Sequence, residues 1–174
     1  MNKELLLSHI KSIPDFPAPG VLFRDVTTLY QDAECLREMT DAIAEIYNGC
    51  GITKVVGIES RGFILGASVA CALGAGFVPI RKPGKLPRDT YSVKYQKEYG
   101  EDSIEIHRDA LSAGDTVLLH DDLLATGGTT EAALKLIRKF GPANIYVNFI
   151  MELAGEFPDA RSKIDAPVSS LLQL

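Results

Sequence analysis

The chain has 174 residues, 46% hydrophobic and 24% charged, a balance that supports one folded core and excludes disordered, collagen-like and coiled-coil classes. With 18 basic and 23 acidic side chains the formal net charge is -5, which argues against a nucleic-acid binder but leaves room for a local basic site taking a small phosphorylated ligand. Cys35, Cys50 and Cys71 make no CxxC pair and His9, His107 and His120 show no HxxxH spacing, so no disulfide framework or metal cluster is read and a reducing, cytoplasmic setting is expected.

In chain order, the N-terminus carries acidic Glu4 and too short an apolar run for a signal peptide. Residues 3–12 predict a short amphipathic helix ended by Pro14, and PDFPAPG (14–20) a loop. Leu36, Met39, Ile43 and Ile46 follow helical spacing across 33–48, and Gly49 and Gly51 stop that helix. KVVGIE (54–59) reads as a buried strand. The uncharged stretch between Arg61 and Arg81 approaches the length of a membrane span. Gly74, Gly76 and Pro79 interrupt it, so it reads as a buried helix, a glycine turn and a strand at 77–81, with no membrane association.

Residues 82–103 form a long polar segment with four lysines, the pattern of an active-site lid. IEIHR (104–108) alternates and can pair with YSVKY (91–95) in a hairpin. TVLLH (116–120) predicts a buried strand followed by a turn, 131–141 an amphipathic helix with a glycine stop, 144–152 a strand and 168–174 a last strand. Strands alternating with helices predict an α/β fold, a mainly parallel twisted sheet flanked by helices, in one domain spanning 1–174.

The sharpest feature is TVLLHDDLLATGGTTEAALKLI (116–137): strand, acidic pair, small-residue loop, helix. Ligands of open parallel sheets bind beyond the carboxyl ends of strands, where Asp121 and Asp122 are expected. Ala125, Thr126, Gly127, Gly128 and Thr129 follow and open the helix. Glycines admit a ligand close to the backbone, and the free N–H groups at a helix start suit a phosphate. Carboxylates accept hydrogen bonds from vicinal sugar hydroxyls, so the unit describes a ribose-5-phosphate site. Neither GxxxxGK[ST] nor GxGxxG is present there.

At these residues the chain resembles the type I phosphoribosyltransferases. FPAPGVLFRD (16–25), ESRGF (59–63), IRKPGKLP (80–87), EYG (98–100), VLLHDDLLATGGTT (117–130) and SLLQL (170–174) extend the resemblance over nearly the whole chain and narrow it to the adenine-using branch. The resemblance implies transfer of a 5-phosphoribosyl group from 5-phosphoribosyl-1-pyrophosphate to adenine, giving AMP and pyrophosphate, in purine salvage. It makes Glu59, Ser60, Arg61, Arg81, Lys82 and Lys85 the pyrophosphate contacts, with Pro83 standing where some relatives have a basic residue. It makes Leu22, Phe23 and Arg24 part of a base-binding hood within about residues 1–30, with Leu153 as the opposite wall. Glu98, in the lid, becomes the group that handles the adenine N9 proton, and His120 is expected to pack rather than react. Mg2+ is expected to arrive on the pyrophosphate, with no dedicated protein ligands, and the assembly to be a cytoplasmic homodimer. The alternatives are a phosphoribosyltransferase for hypoxanthine, guanine or xanthine, and a non-catalytic nucleotide-sensing regulator on the same fold.

Overall fold

The computed structural model describes residues 1–96 and 101–174. Among them, strands β3 (Lys54–Ile58), β4 (Gly76–Ile80), β7 (Thr116–Leu124), β8 (Asn144–Glu152) and β9 (Val168–Gln173) form a parallel sheet in the order β4-β3-β7-β8-β9. From β3 the chain first steps outward to β4, then returns to the other side of β3 to lay down β7. Strand order reverses between β3 and β7, which opens a crevice beyond their carboxyl ends.

The sheet is covered on both faces, so its strands read as continuous apolar runs rather than alternating ones. Val55 and Leu118 join a core with helices α3 (Ala33–Ile46) and α4 (Gly62–Leu73), whereas Val56, Val117 and Leu119 join a second core with α5 (Gly128–Arg138). The long uncharged stretch resolves as expected into α4, a left-handed cap at Gly74 (φ 65°) and β4. Among the described residues no helix is long and apolar enough to cross a membrane.

Several elements depart from the sequence reading. The first helix, α1, covers only Lys3–His9; Lys11–Pro14 is instead strand β1, paired antiparallel with β2 (Leu22–Asp25). Helical spacing in 3–12 could not reveal that partner, which lies across the proline-rich loop. Helix α2 (Thr27–Gln31) follows the hairpin, its start held by Asp25 Oδ1 accepting from Thr27 N at 2.8 Å and by Thr28 Oγ1 donating to His9 O at 2.6 Å.

Part of the polar segment pairs as two strands among the described residues. Strands β5 (Thr90–Gln96) and β6 (Glu101–His107) pair antiparallel, Tyr91 with Ile106 and Val93 with Ile104, as the alternation predicted. The ribbon is seated by Ile104 and Ile106 in the second core and by Tyr91 meeting Phe140 edge-on at 5.5 Å. Strand β7 also runs four residues beyond its predicted end, because pairing with β8 continues to Leu124 opposite Glu152. Asp121 and Asp122 therefore lie inside the strand, not in a turn after it. Helix α5 begins at Gly128, three residues earlier than expected, and ends at Arg138.

Candidate active site

Helix α4 starts immediately after the β3 loop, and its first residue decides how closely that loop approaches β7. A Cβ on Gly62 would stand 2.9 Å from His120 O and 3.0 Å from Asp121 Oδ1. Only glycine permits this approach, which brings Arg61 Nε to 2.8 Å from Asp122 Oδ2. The contact is an ion pair rather than a directed hydrogen bond, since Oδ2 accepts none from the described residues. Tyr30 Oη reaches Arg61 O at 3.4 Å, and the Glu59–Ser60 peptide in the same loop is cis.

Asp122 is buried, and its N–H donates to Asp121 Oδ1 at 2.9 Å. Burial pushes the Asp121 carboxyl well above its usual range, and the charge of Asp122 pushes it further. Burial also raises Asp122, against the opposing pull of the Arg61 guanidinium. The pair lies in a cleft of about 200 Å³ lined by Glu59, Ser60, Arg61, Lys82, Tyr95, Asp121, Asp122 and Thr129.

The predicted basic cluster divides. Glu59 accepts from Arg81 Nε and Nη2, each at 3.1 Å, and from Lys82 N at 2.9 Å. The Arg81 hydrogen bonds hold the Glu59 carboxyl below its usual range. Arg81 and Lys85 line neither this cleft nor the cavity beside it. Lys82 does line the cleft, its ammonium paired with Asp102 and 5.9 Å from the centre of the Tyr95 ring.

The adjoining cavity, about 570 Å³, joins the hood to the glycine loop. It is lined by Leu22, Phe23 and Arg24 of the hood, by Leu153 and Phe157, and by Ala125, Thr126, Gly128 and Thr129. Phe23 is fixed by two neighbours: Phe16 meets it edge-on at 5.1 Å, and the Arg61 guanidinium lies 5.5 Å from its ring centre. Phe23 and the β3 loop are thus in direct contact. The Arg24 side chain turns back into the hairpin and donates from Nη1 to Ser12 Oγ.

Gly127 caps α5 with φ 85°, and a Cβ there would come within 3.3 Å of Ala160 O. A side chain is opposed by both backbone conformation and space. Because Glu131 N closes the first helical turn onto Gly127 O at 3.0 Å, the N–H groups of 128–130 have no helical partner. Thr129 Oγ1 lies 3.5 Å from Tyr95 Oη, so the ribbon reaches the loop.

The sequence reading missed Tyr30, Tyr95 and Phe157. Tyr95 had a usable signal, since Tyr91, Val93 and Tyr95 alternate on one face of the ribbon. Glu98 lies outside the described residues. His120 is fully buried, with Nδ1 3.0 Å from Asn148 Oδ1; Asn148 Nδ2 donates to Ser169 Oγ at 2.8 Å, which meets Tyr47 Oη at 2.7 Å. Burial depresses the imidazole to about 4, so it is a neutral core group, in line with packing. His9, Asp32 and Cys35 gather within 4.8 Å despite their uninformative spacing. There Asp32 Oδ1 caps α3 through Cys35 N at 2.8 Å, and burial pushes the Cys35 thiol up to about 11.

A reversed-order parallel sheet, with a carboxylate pair and a helix start at its switch point, defines a protein that handles a phosphorylated sugar or nucleotide. The phosphoribosyl transferase domain model matches residues 25–171, and the chain belongs to that family. An adenine phosphoribosyltransferase of Bacteroides thetaiotaomicron is 55% identical over 174 residues, covering 100% of this chain and 99% of the relative. The structure of the Giardia lamblia enzyme complexed with 9-deazaadenine superposes with a TM-score of 0.94 at 40% identity, covering 100% of this chain and 98% of that one. The Trypanosoma brucei enzyme in complex with AMP, pyrophosphate and ribose-5-phosphate has a TM-score of 0.84 at 27% identity, covering 98% of this chain and 79% of that one. Within its family the chain stands with the adenine phosphoribosyltransferases.

Proposed function

We propose that the residues gathered here divide the work of transferring the 5-phosphoribosyl group from 5-phosphoribosyl-1-pyrophosphate to adenine, which yields AMP and pyrophosphate in purine salvage. The observation that carries this reading is one cavity walled by Leu22, Phe23 and Leu153 and ended by the start of α5, next to the Arg61–Asp122 cleft. An apolar slot for a flat base, amides for a phosphate and carboxylates for a diol lie beside one another.

The free N–H groups of 128–130 and the hydroxyls of Thr126 and Thr129 take the 5-phosphate. Asp121 and Asp122 accept from the ribose hydroxyls. Ser60, Arg61 and Lys82 face the pyrophosphate. Glu59 and Arg81, bound to each other, shape that loop, and Lys85 extends its positive field. Adenine lies between Phe23 and Leu153, with hood backbone groups, including those of Arg24, at its edge.

As the C1–oxygen bond breaks, pyrophosphate departs with the electron pair while adenine N9 bonds to C1 and releases its proton. An oxocarbenium-like transition state is expected, as in glycosidic cleavage. Arg61 and Lys82 offset the charge of the leaving group, and the two cavities hold the base and C1 in line. By resemblance Glu98 takes the N9 proton, and the 82–103 segment forms a lid that keeps water from the sugar donor.

Mg2+ fits this site only as a companion of pyrophosphate: the Glu59 carboxylate is already held by three donors, and Asp122 faces Arg61. When bound, the ion neutralises phosphoryl oxygens and keeps several waters. The protein is further proposed to act in the cytoplasm as a single-domain homodimer with no nucleic-acid or membrane partner. To test the reading, the purified protein is given labelled sugar donor with adenine, hypoxanthine, guanine or xanthine. Labelled AMP from adenine is expected, because a site built for an amine leaves buried polar groups unpaired against an oxo-purine. Equal transfer to an oxo-purine, or donor binding without any turnover, overturns it.

A further inference from the structure

The segment 153–160 follows β8 and precedes a short 3-10 turn at Arg161–Lys163, and it has no sheet or helix of its own. It nevertheless contributes Leu153 and Phe157 to the base cavity and presses Ala160 O toward Gly127. Its two ends are joined. The Glu152 carboxylate, buried at the end of β8, accepts from Arg161 Nε at 3.2 Å and Nη2 at 2.8 Å. Ser170 Oγ and Gln173 Nε2 donate to Glu152 Oε2 at 2.9 Å and 3.3 Å, and Arg161 Nη1 donates to Val168 O at 3.3 Å. The guanidinium therefore ties the far end of the segment to its start and to β9.

Within the segment, Phe157 N donates to Leu153 O at 2.8 Å and Gly155 N to Leu174 O at 2.9 Å. These bonds set local turns. Glu156 N also donates to Leu153 O at 3.2 Å and Ala160 N to Phe157 O at 3.1 Å, and the two-pronged bond adds a direct tie between the residues that flank the segment.

We propose that Arg161, acting on Glu152, is a positioning residue for the base: it holds the 153–160 wall at the width of a purine and so governs affinity for adenine rather than the chemical step. The inference rests on adenine lying against Leu153. Replacing Arg161 leaves a buried carboxylate without its main partner. The segment end then moves toward water, and the wall moves with it. The phosphate loop, carried by β7 and α5, keeps its own supports.

Steady-state kinetics with adenine and the sugar donor test this on the purified full chain. For Arg161→Ala, KM for adenine is expected to rise about tenfold, with kcat and the donor KM within about threefold of wild type, the pattern of lost uniform binding. Adding Glu152→Gln to Arg161→Ala removes the stranded charge and is expected to recover at least half of that rise on a logarithmic scale. A role confined to general stability would instead lower Tm, with additive losses in the double variant. Should Arg161→Ala fail to fold, Ser170→Ala serves in its place, with a two- to threefold rise in KM for adenine. Leu153→Ala is run in parallel. If it raises KM for adenine and the clasp variants do not, this inference is wrong. If Leu153→Ala also leaves KM unchanged, the placement of the base is wrong, and the inference falls with it.

Discussion

Gly62→Ala is the most informative single change, because local propensity and tertiary packing predict opposite signs. Alanine in place of glycine within a helix is ordinarily stabilising by about 0.5–1 kcal/mol, and α4 begins at Gly62 with no positive φ to forbid the change. The tertiary contacts reverse this. The new methyl would sit 2.9 Å from His120 O and 3.0 Å from Asp121 Oδ1, whereas ordinary contact begins at 3.4 Å. The backbone of β7 and the start of α4 must therefore separate by about half an ångström, and overpacking of this kind costs about 1–3 kcal/mol. The same displacement separates Arg61 from Asp122. Since a misplacement of about 1 Å can cost on the order of 100-fold in rate, half of that gives roughly tenfold in kcat/KM. Urea unfolding and steady-state kinetics on the variant read both quantities. Gly114→Ala is the control, since a Cβ there meets nothing within 4 Å. If Gly62→Ala were as stable and as active as Gly114→Ala, the close approach of α4 to β7 would not be what sets the site.

Other expectations follow from the same geometry. Asp122→Asn and Gly128→Val should each lower turnover by two orders of magnitude or more while circular dichroism still reports a folded α/β protein; wild-type-like activity in both would remove the ribose-phosphate assignment. Glu98→Gln should slow the single-turnover rate more than it weakens adenine binding, and an unchanged rate would take Glu98 out of the chemistry. His120 is held at about 4 against an ordinary 6.5, so the unfolded chain binds its proton first. The stability that His120 contributes is complete above 6.5, falls as pH drops from there to about 4, and amounts to about 3 kcal/mol over that window. Urea titrations of wild type and His120→Gln between pH 7 and 4 check it: the difference in slope should lie in that interval and be absent above it.

Much of the site was legible because its signals are local. An apolar run, an acidic pair and a glycine loop opening a helix lie within 116–137, and short-range geometry alone places them together. The hood and the β3 loop came from resemblance, and Leu22, Phe23, Arg24 and Leu153 line one cavity. The division of the basic cluster was not legible. Arg81 and Lys82 are neighbours in sequence, yet Arg81 is spent on Glu59 while Lys82 faces the cleft, a choice made by the approach of β3 to β4.

Patterning by itself determined the alternation of strands and helices, the buried character of β3 and β7 and the glycine-rich loop that opens α5, because hydrophobic period and turn chemistry act over a few residues. Only the tertiary structure decided that Lys11–Pro14 is a strand, that Asp121 and Asp122 lie within β7, and that Arg61 meets both Asp122 and Phe23. Each of these depends on a partner far along the chain. Backbone groups continue a strand wherever a neighbour offers hydrogen bonds, and a charged side chain goes where a buried opposite charge awaits it. Neither partner is visible in a local window of sequence.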